Sequence, residues 1–152
     1  MKQELNFDPR DVHRHFSAAC FNNAWTYIEK TERTAQDNER MILLSMASLW
    51  HWTQREDCAP RNLAVGYWQA SRVYALAGLA GEARRYGELC LQYSKTEPPF
   101  YLAYAYEALA RAEKAAGNPG LAAQYRDEAS RLAEKVEEAE DKKLIVDDLR
   151  TI

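Results

Sequence analysis

Apolar residues recur at every third or fourth position along most of the chain, which is the spacing of one face of an α-helix. The first such run follows Asp8, a residue type that caps helices, and Pro9, which fits the first helical turn. A second run follows Thr34, with Asp37 three residues later as in a capping box. No segment is convincing as a strand. The pattern therefore predicts an all-α protein.

Prolines and glycines divide this pattern into six main helices and a short seventh. Proline is favoured at the first position of a helix and glycine just beyond its end. Residues of these two types mark predicted boundaries at Pro60, Gly78, Pro99, Gly117 and Pro119. We expect three helix hairpins, over about residues 9–56, 59–95 and 98–139, followed by a last helix over 141–151. A chain of 152 residues is long enough for one domain, residues 1–152.

The second and third predicted hairpins are copies of one another. Residues 60–95 align with residues 99–134 at a shift of 39 positions, with ten identities in 36 positions and no gap. The identities include the glycine turns at Gly78 and Gly117. One such unit is too small to bury its own apolar face, so we expect the hairpins to stack side by side as a short solenoid.

The spacing of an aromatic residue, a small residue, glycine and alanine resembles the tetratricopeptide repeat. The matching residues are Tyr67, Ser71, Gly78 and Ala83 in one unit and Tyr106, Ala110, Gly117 and Ala122 in the next. The period of 39 residues exceeds the ~34 of the family, and the closing proline of the family pattern is missing. The chain is similar to small bacterial proteins of that superfamily. This resemblance implies a short right-handed superhelix of three antiparallel helix hairpins with a C-terminal capping helix.

The same resemblance implies a scaffold that binds a protein or peptide in the groove formed by the first helix of each hairpin. The positions that would face the ligand are Trp68, Arg72, Tyr104, Glu107 and Arg111, with Val65 and Lys114 beside them. Arginine binds carboxylates through two hydrogen bonds, and tryptophan supplies apolar contact. We therefore expect a non-enzymatic binding module without a cofactor. The alternative is a solvated face, because Trp68 with Arg72 and Glu107 with Arg111 are also i,i+4 pairs within one helix.

Three histidines are the most chemically suggestive side chains in the sequence. His13 and His15 lie in the first predicted helix, and folding of the first hairpin places His51 within about one turn of them. Together with Asp11 or Cys20, they would allow a second function, a metal-dependent or acid–base enzyme. Against it, His13 and His15 point to different faces and no ExxH spacing accompanies them. A hydrogen-bonded core histidine at position 51 is the simpler interpretation.

The composition argues against several other classes of protein. With 20 basic and 23 acidic residues the net charge is -3, so the chain lacks the basic excess that binds nucleic acid or anionic lipid. Residues 1–6 contain no apolar run, and nowhere along the chain do ~18 apolar residues follow one another. We therefore expect no signal peptide, no transmembrane helix and no membrane partner. The cysteines, Cys20, Cys58 and Cys90, are expected to be reduced thiols. A cytoplasmic location is the resulting expectation.

The apolar stripe beyond the last repeat consists of Leu144, Ile145 and Leu149. We expect it to cap the open end of the solenoid, because a terminal repeat needs its apolar face covered. The alternative is an interface between two chains, for which the N-terminal end also offers Trp25, Ile28 and Ile42. The sequence leaves open whether the protein is a monomer or a homodimer.

Overall fold

The computed structural model describes residues 6–152, which form seven α-helices and no strand. The helices are α1 (Pro9–Ile28), α2 (Ala35–Thr53), α3 (Pro60–Leu76), α4 (Ala80–Ser94), α5 (Pro99–Ala115), α6 (Pro119–Ala133) and α7 (Ala139–Leu149). The prediction of an all-α protein is confirmed. None of these helices is both long enough and apolar enough to span a lipid bilayer. Residues 1–5 lie outside the described residues. The expectation that the chain has no signal peptide rests partly on them.

The first two helices begin where the sequence places capping residues. The Asp8 carboxylate accepts a hydrogen bond from the backbone N–H of Arg10 at 2.9 Å, and Pro9 occupies the first turn of α1. At α2, the Thr34 hydroxyl accepts from the Asp37 N–H while the Asp37 carboxylate accepts from the Thr34 N–H, each at 3.1 Å. This is the reciprocal capping box that the sequence predicts.

One glycine ends the first helix in each of the two repeat units. Gly78 follows α3 and Gly117 follows α5, and both have a φ of 78°, a left-handed conformation that glycine adopts without steric strain. The two positions are equivalent in the internal repeat of the sequence. That repeat is therefore matched by a repeat in the local structure.

Neighbouring helices pack consecutively along the chain, from α1 on α2 to α5 on α6. The connections within the pairs α1–α2, α3–α4 and α5–α6 have three to six residues. Such connections are too short to run back along a helix, so the two helices of each pair are antiparallel. The first helices of the pairs also contact one another, α1 with α3 and α3 with α5. These three helices therefore lie side by side.

The small residues of the repeat pattern lie at the contact between paired helices. Ser71 of α3 and Ala83 of α4 are fully buried, and the Ser71 hydroxyl donates to the Ala83 carbonyl at 2.8 Å. Ala110 of α5 and Ala122 of α6, at the equivalent positions, are also buried. Short side chains at these positions allow the two helices of a pair to approach closely.

The last helix, α7, packs on α5 and α6 and covers the end of the stack. Its residues Ile145 and Leu149 are buried with Ala103 of α5 and Leu132 of α6 in one apolar cluster. Of the predicted apolar stripe, Ile145 and Leu149 are therefore packed inside the same chain, whereas Leu144 is exposed.

A second apolar cluster joins α1, α2 and α3 through Ile28, Met41 and Val73, and Trp25 and Ile42 pack against it. Ile28 is buried in this cluster, and Trp25 and Ile42 are partly buried against it, so these residues pack within the chain. An interface between two chains at the N-terminal end stays a prediction. The large apolar side chains that α1 and α2 expose are Phe16, Leu43 and Trp50.

Candidate functional site

A cavity of about 230 Å³ opens between α3, α4 and α5. Most of its wall comes from two helices, with Ala64, Val65 and Trp68 on α3 and Phe100, Tyr101 and Tyr104 on α5. The lining is apolar and largely aromatic, and no charged side chain takes part in it. Cavities with such a lining bind apolar groups.

An adjoining cavity of about 310 Å³ extends the first one toward α1. The two cavities share Val65 and Tyr101, and the second is also lined by Phe21 of α1 and Trp52 of α2. Together they form a mostly apolar depression along α1, α3 and α5. We call this depression the first-helix groove, because it follows the first helix of each pair.

The structure divides the five predicted groove residues into an apolar part and an ionic part. Trp68 and Tyr104 line the cavity, and their rings meet edge to face with centroids 5.4 Å apart. Arg72, Glu107 and Arg111 lie one to two turns further along α3 and α5 and do not line the cavity.

Glu107 is the centre of the ionic part. Its side chain has an exposed fraction of 0% and accepts hydrogen bonds from the Trp68 indole at 2.8 Å and from the Arg111 guanidinium at 2.9 and 2.6 Å. Arg72 approaches the same carboxylate to 3.8 Å. Burial of a charged group is tolerated where opposite charges and hydrogen bonds replace its hydration, as they do here. The alternative of an i,i+4 pair therefore applies to Glu107 and Arg111, but the pair is buried rather than solvated.

The end of α7 and the residues that follow it cover the ionic part. The Asp148 carboxylate accepts a hydrogen bond from the Tyr104 hydroxyl at 2.8 Å and lies 3.5 Å from the Arg72 guanidinium. The Thr151 hydroxyl accepts a hydrogen bond from Arg111 at 2.8 Å. Burial first, and then the hydrogen bond to Asp148, raise the pKa of the Tyr104 hydroxyl, so this group stays a donor. A later segment of the same chain thus lies across part of the predicted groove.

Sequence reasoning missed Phe100 and Tyr101, which line the cavity from the first turn of α5. They precede Tyr104 by four and three residues and so lie on the same helical face as that residue. This spacing is the signal that points to them. For Asp148 and Thr151 no local signal exists, since nothing in the sequence pattern shows that α7 reaches α3.

The structure brings two of the three histidines together and leaves the third apart. The Nδ1 atoms of His13 in α1 and His51 in α2 are 2.8 Å apart, so one ring donates its proton and the other accepts it. The Trp50 ring lies 5.4 Å from His13 and the Phe16 ring 5.6 Å from His51, measured between ring centroids. His15 is exposed on another face of α1.

The contact makes His51 harder to protonate. Burial, and next the charge of a protonated His13, lower the pKa of His51. The cavity beside His13 is lined by charged residues of both signs, namely Arg10, Arg14, Arg55, Glu56 and Asp57. Because the hydrogen bond needs one unprotonated Nδ1 atom, protonation of both rings breaks it and places two positive charges side by side.

We expect the protein to lose stability as the pH falls below ~6.5, the pKa of an unfolded histidine. A histidine whose pKa is lowered on folding binds its proton more tightly in the unfolded chain, so acid favours unfolding. Loss of this hydrogen bond should lower the melting temperature by about 2–4 °C between neutral and mildly acid pH. The dependence of the melting temperature on pH should become smaller in a His51→Gln variant and should stay the same in a His15→Gln variant. An unchanged pH profile in His51→Gln would contradict the pairing.

The enzyme alternative that rests on His13, His15 and His51 stays a prediction. Two of its three rings are in contact, and the third faces away. Among residues 6–152, no group of three or more histidine, cysteine, aspartate or glutamate side chains is arranged to hold a metal ion.

The cysteines Cys20, Cys58 and Cys90 are free thiols in the structure. Burial raises the pKa of Cys20 and Cys58, and it raises the pKa of Cys90, in the wall of the cavity, to about 12. Because the thiolate is the reactive form of cysteine, a raised pKa makes a thiol a poor nucleophile. Of the three, Cys90 is buried in the core as a small apolar side chain.

Comparison of the chain with protein-family models, with curated proteins and with solved structures finds no match. The resemblance to the tetratricopeptide repeat therefore rests on the internal repeat of the sequence. The consecutive packing of the helices is consistent with a helical repeat.

Proposed function

We propose that this protein is a non-enzymatic scaffold of the tetratricopeptide-like kind that binds a peptide or a protein segment in the first-helix groove. In this proposal, three antiparallel hairpins form a short right-handed superhelix closed by α7. The observation that carries the proposal is the apolar cavity between α3, α4 and α5. An apolar side chain of the partner enters this cavity against Trp68, Phe100 and Tyr104.

The size of the cavity supports a single anchoring side chain. A cavity of about 150 Å³ in a protein interior binds benzene, and the cavity of this protein has about 230 Å³. An aromatic or branched aliphatic side chain therefore fits. A charged side chain would lose its hydration there without compensation, because the lining supplies no opposite charge.

The adjoining cavity supports a partner that lies along the groove in an extended conformation. In an extended segment, alternate side chains point to the same side. A partner anchored near Trp68 would therefore present a further side chain toward Phe21 and Trp52, beyond the shared wall of Val65 and Tyr101.

The position of α7 gives further support. Asp148 and Thr151 lie on the ionic part of this face and are held by hydrogen bonds from Tyr104 and Arg111. The face thus already holds a polar segment of protein chain. A cytoplasmic location, the lack of nucleic-acid and membrane partners, and the choice between monomer and homodimer stay predictions from the sequence.

The internal repeat provides a matched pair of variants that tests whether the cavity has room for a side chain. Ala64 lines the cavity, whereas its repeat equivalent Ala103 is packed in the apolar cluster with α7. Ala64→Leu should fill the cavity with little change in stability, because the added carbon atoms enter existing space. Ala103→Leu should destabilise the protein by about 1–3 kcal/mol, the effect of overpacking a filled core. Denaturant unfolding measures both.

Selection from a displayed library of random peptides then tests binding itself. We expect enrichment of peptides with an aromatic or branched aliphatic residue, which bind the Ala64→Leu variant roughly tenfold more weakly than the wild-type protein. A folded Ala64→Leu variant that binds the selected peptides as tightly as the wild type would show that the cavity is not the site. A selection that enriches no peptide would count against the proposed function.

A further inference from the structure

The Asp148 carboxylate is bound by Tyr104, which lines the first-helix groove, and by Arg72, which lies beside this groove. The Tyr104 hydroxyl donates to one of its oxygens at 2.8 Å, and Arg72 donates to the other at 3.5 Å. Tyr104 also lines the apolar cavity with its ring. The carboxylate position and the apolar cavity are therefore neighbouring parts of one surface.

Asp148 satisfies Arg72 only in part. The hydrogen bond of 3.5 Å between them is long, and the Nε atom of Arg72 is buried without a hydrogen-bond partner. Arginine binds a carboxylate most strongly through two parallel N–H groups. Asp148 is therefore a weaker ligand for Arg72 than a carboxylate that reaches both nitrogens.

The charges around this position favour an acidic occupant. Arg72, Arg111 and Lys114 contribute three positive charges, and all three contact Glu107 or the segment from Asp148 onward. Glu107 is held by Arg111. Without Asp148, the position has an excess of positive charge in surroundings that are partly screened from water, and such a site attracts an external carboxylate.

We propose that Asp148 is an internal competitor for the carboxylate of a partner. This inference rests on the proposed function and names the partner's class, a protein segment in which an aspartate or glutamate lies close to the apolar anchoring residue. The partner's carboxylate takes the place of Asp148 on Tyr104 and Arg72, and the end of α7 moves away from these two side chains. α7 itself stays in place through Ile145, which is buried in the apolar cluster.

Chemical rescue tests the carboxylate position without any peptide. The Asp148→Ala variant removes the carboxylate and leaves Tyr104 and Arg72 in place. Sodium acetate, compared with sodium chloride at equal ionic strength, should raise the melting temperature of this variant by about 2–4 °C, because acetate binds the folded state. The wild-type protein and an Asp147→Ala variant should show no such difference. Asp147 is the matched control, since it pairs with Lys143 at the surface of the same helix.

Two dipeptides test the competition. N-acetyl-Phe-Glu-amide and N-acetyl-Phe-Gln-amide differ in the charge of one side chain, and NMR titration measures their affinities. The Asp148→Asn variant should bind the glutamate peptide about tenfold more tightly than the wild type does, because the internal competitor is lost. The affinity of the glutamine peptide should increase much less in the same variant. Asp148→Asn keeps the shape of the side chain, so this comparison remains decisive if Asp148→Ala folds poorly.

The outcomes separate this inference from the proposed function. Absence of acetate rescue in a folded Asp148→Ala variant overturns the inference, and so does an equal gain for both dipeptides in Asp148→Asn. A third result is that the dipeptides lose binding in Ala64→Leu and bind Asp148→Asn as they bind the wild type. That result overturns the inference and leaves the proposed function intact. If the dipeptides bind no variant, the proposed function fails, and acetate rescue still decides whether Asp148 occupies a carboxylate site.

Discussion

Replacement of Glu107 by alanine is expected to lower the free energy of unfolding by about 3–5 kcal/mol, the usual effect of breaking a buried ion pair. The Glu107 carboxylate accepts hydrogen bonds from Trp68 and Arg111, and Arg72 lies nearby. Its removal leaves the mostly buried Arg111 guanidinium without its opposite charge and leaves Arg72 with only the Asp148 carboxylate, at 3.5 Å. Urea unfolding of the variant measures the loss.

Glu128→Ala is the control for this prediction. Glu128 pairs with Arg131 on the exposed side of α6, where hydration already satisfies both charges. Its replacement should therefore change the unfolding free energy far less than Glu107→Ala. Losses of equal size in the two variants would contradict the role assigned to the buried carboxylate.

The Ile145→Ala variant is expected to lose about 2–5 kcal/mol of stability, because truncation leaves a cavity in a packed core. Ile145 has an exposed fraction of 0% and packs in the cluster that joins α5, α6 and α7. The variant should keep the molecular mass of the wild type in light scattering, since the contact lies within one chain.

The neighbouring residue on α7 is the control. Leu144 has an exposed fraction of 54%, so Leu144→Ala should change the stability by no more than about 0.5 kcal/mol. An Ile145→Ala protein that melts like the wild type but changes its mass would show that the stripe joins two chains.

Those features of the fold that depend on a few neighbouring residues were predictable from the sequence. The caps at Asp8 and Thr34 form as predicted, and the glycines at positions 78 and 117 adopt the left-handed conformation that ends a helix. Caps and turns act over three or four residues. A sequence pattern therefore reports them directly.

The site was predictable only in part, because its geometry depends on how distant helices meet. Trp68 and Tyr104 follow from the repeat pattern, and the cavity beside them does not. The contact between Arg72 and Asp148 joins residues 76 positions apart and depends on the direction in which α7 returns over α5. The burial of Ile28 could not be predicted for the same reason, since the periodicity of α1 does not show which helix will cover each face.

A methyl-resolved NMR titration with N-acetyl-phenylalanine amide tests most directly whether the cavity binds an apolar side chain. Ala64 and Val65 line the cavity, whereas Val73 of the same helix is buried in the cluster with α1 and α2 and is the internal control. We expect shifts of the Ala64 and Val65 methyl signals that saturate, no shift of the Val73 signals, and loss of the Val65 shift in the Ala64→Leu variant. Saturable shifts elsewhere in the protein, with none at Ala64 and Val65, would contradict binding in this cavity.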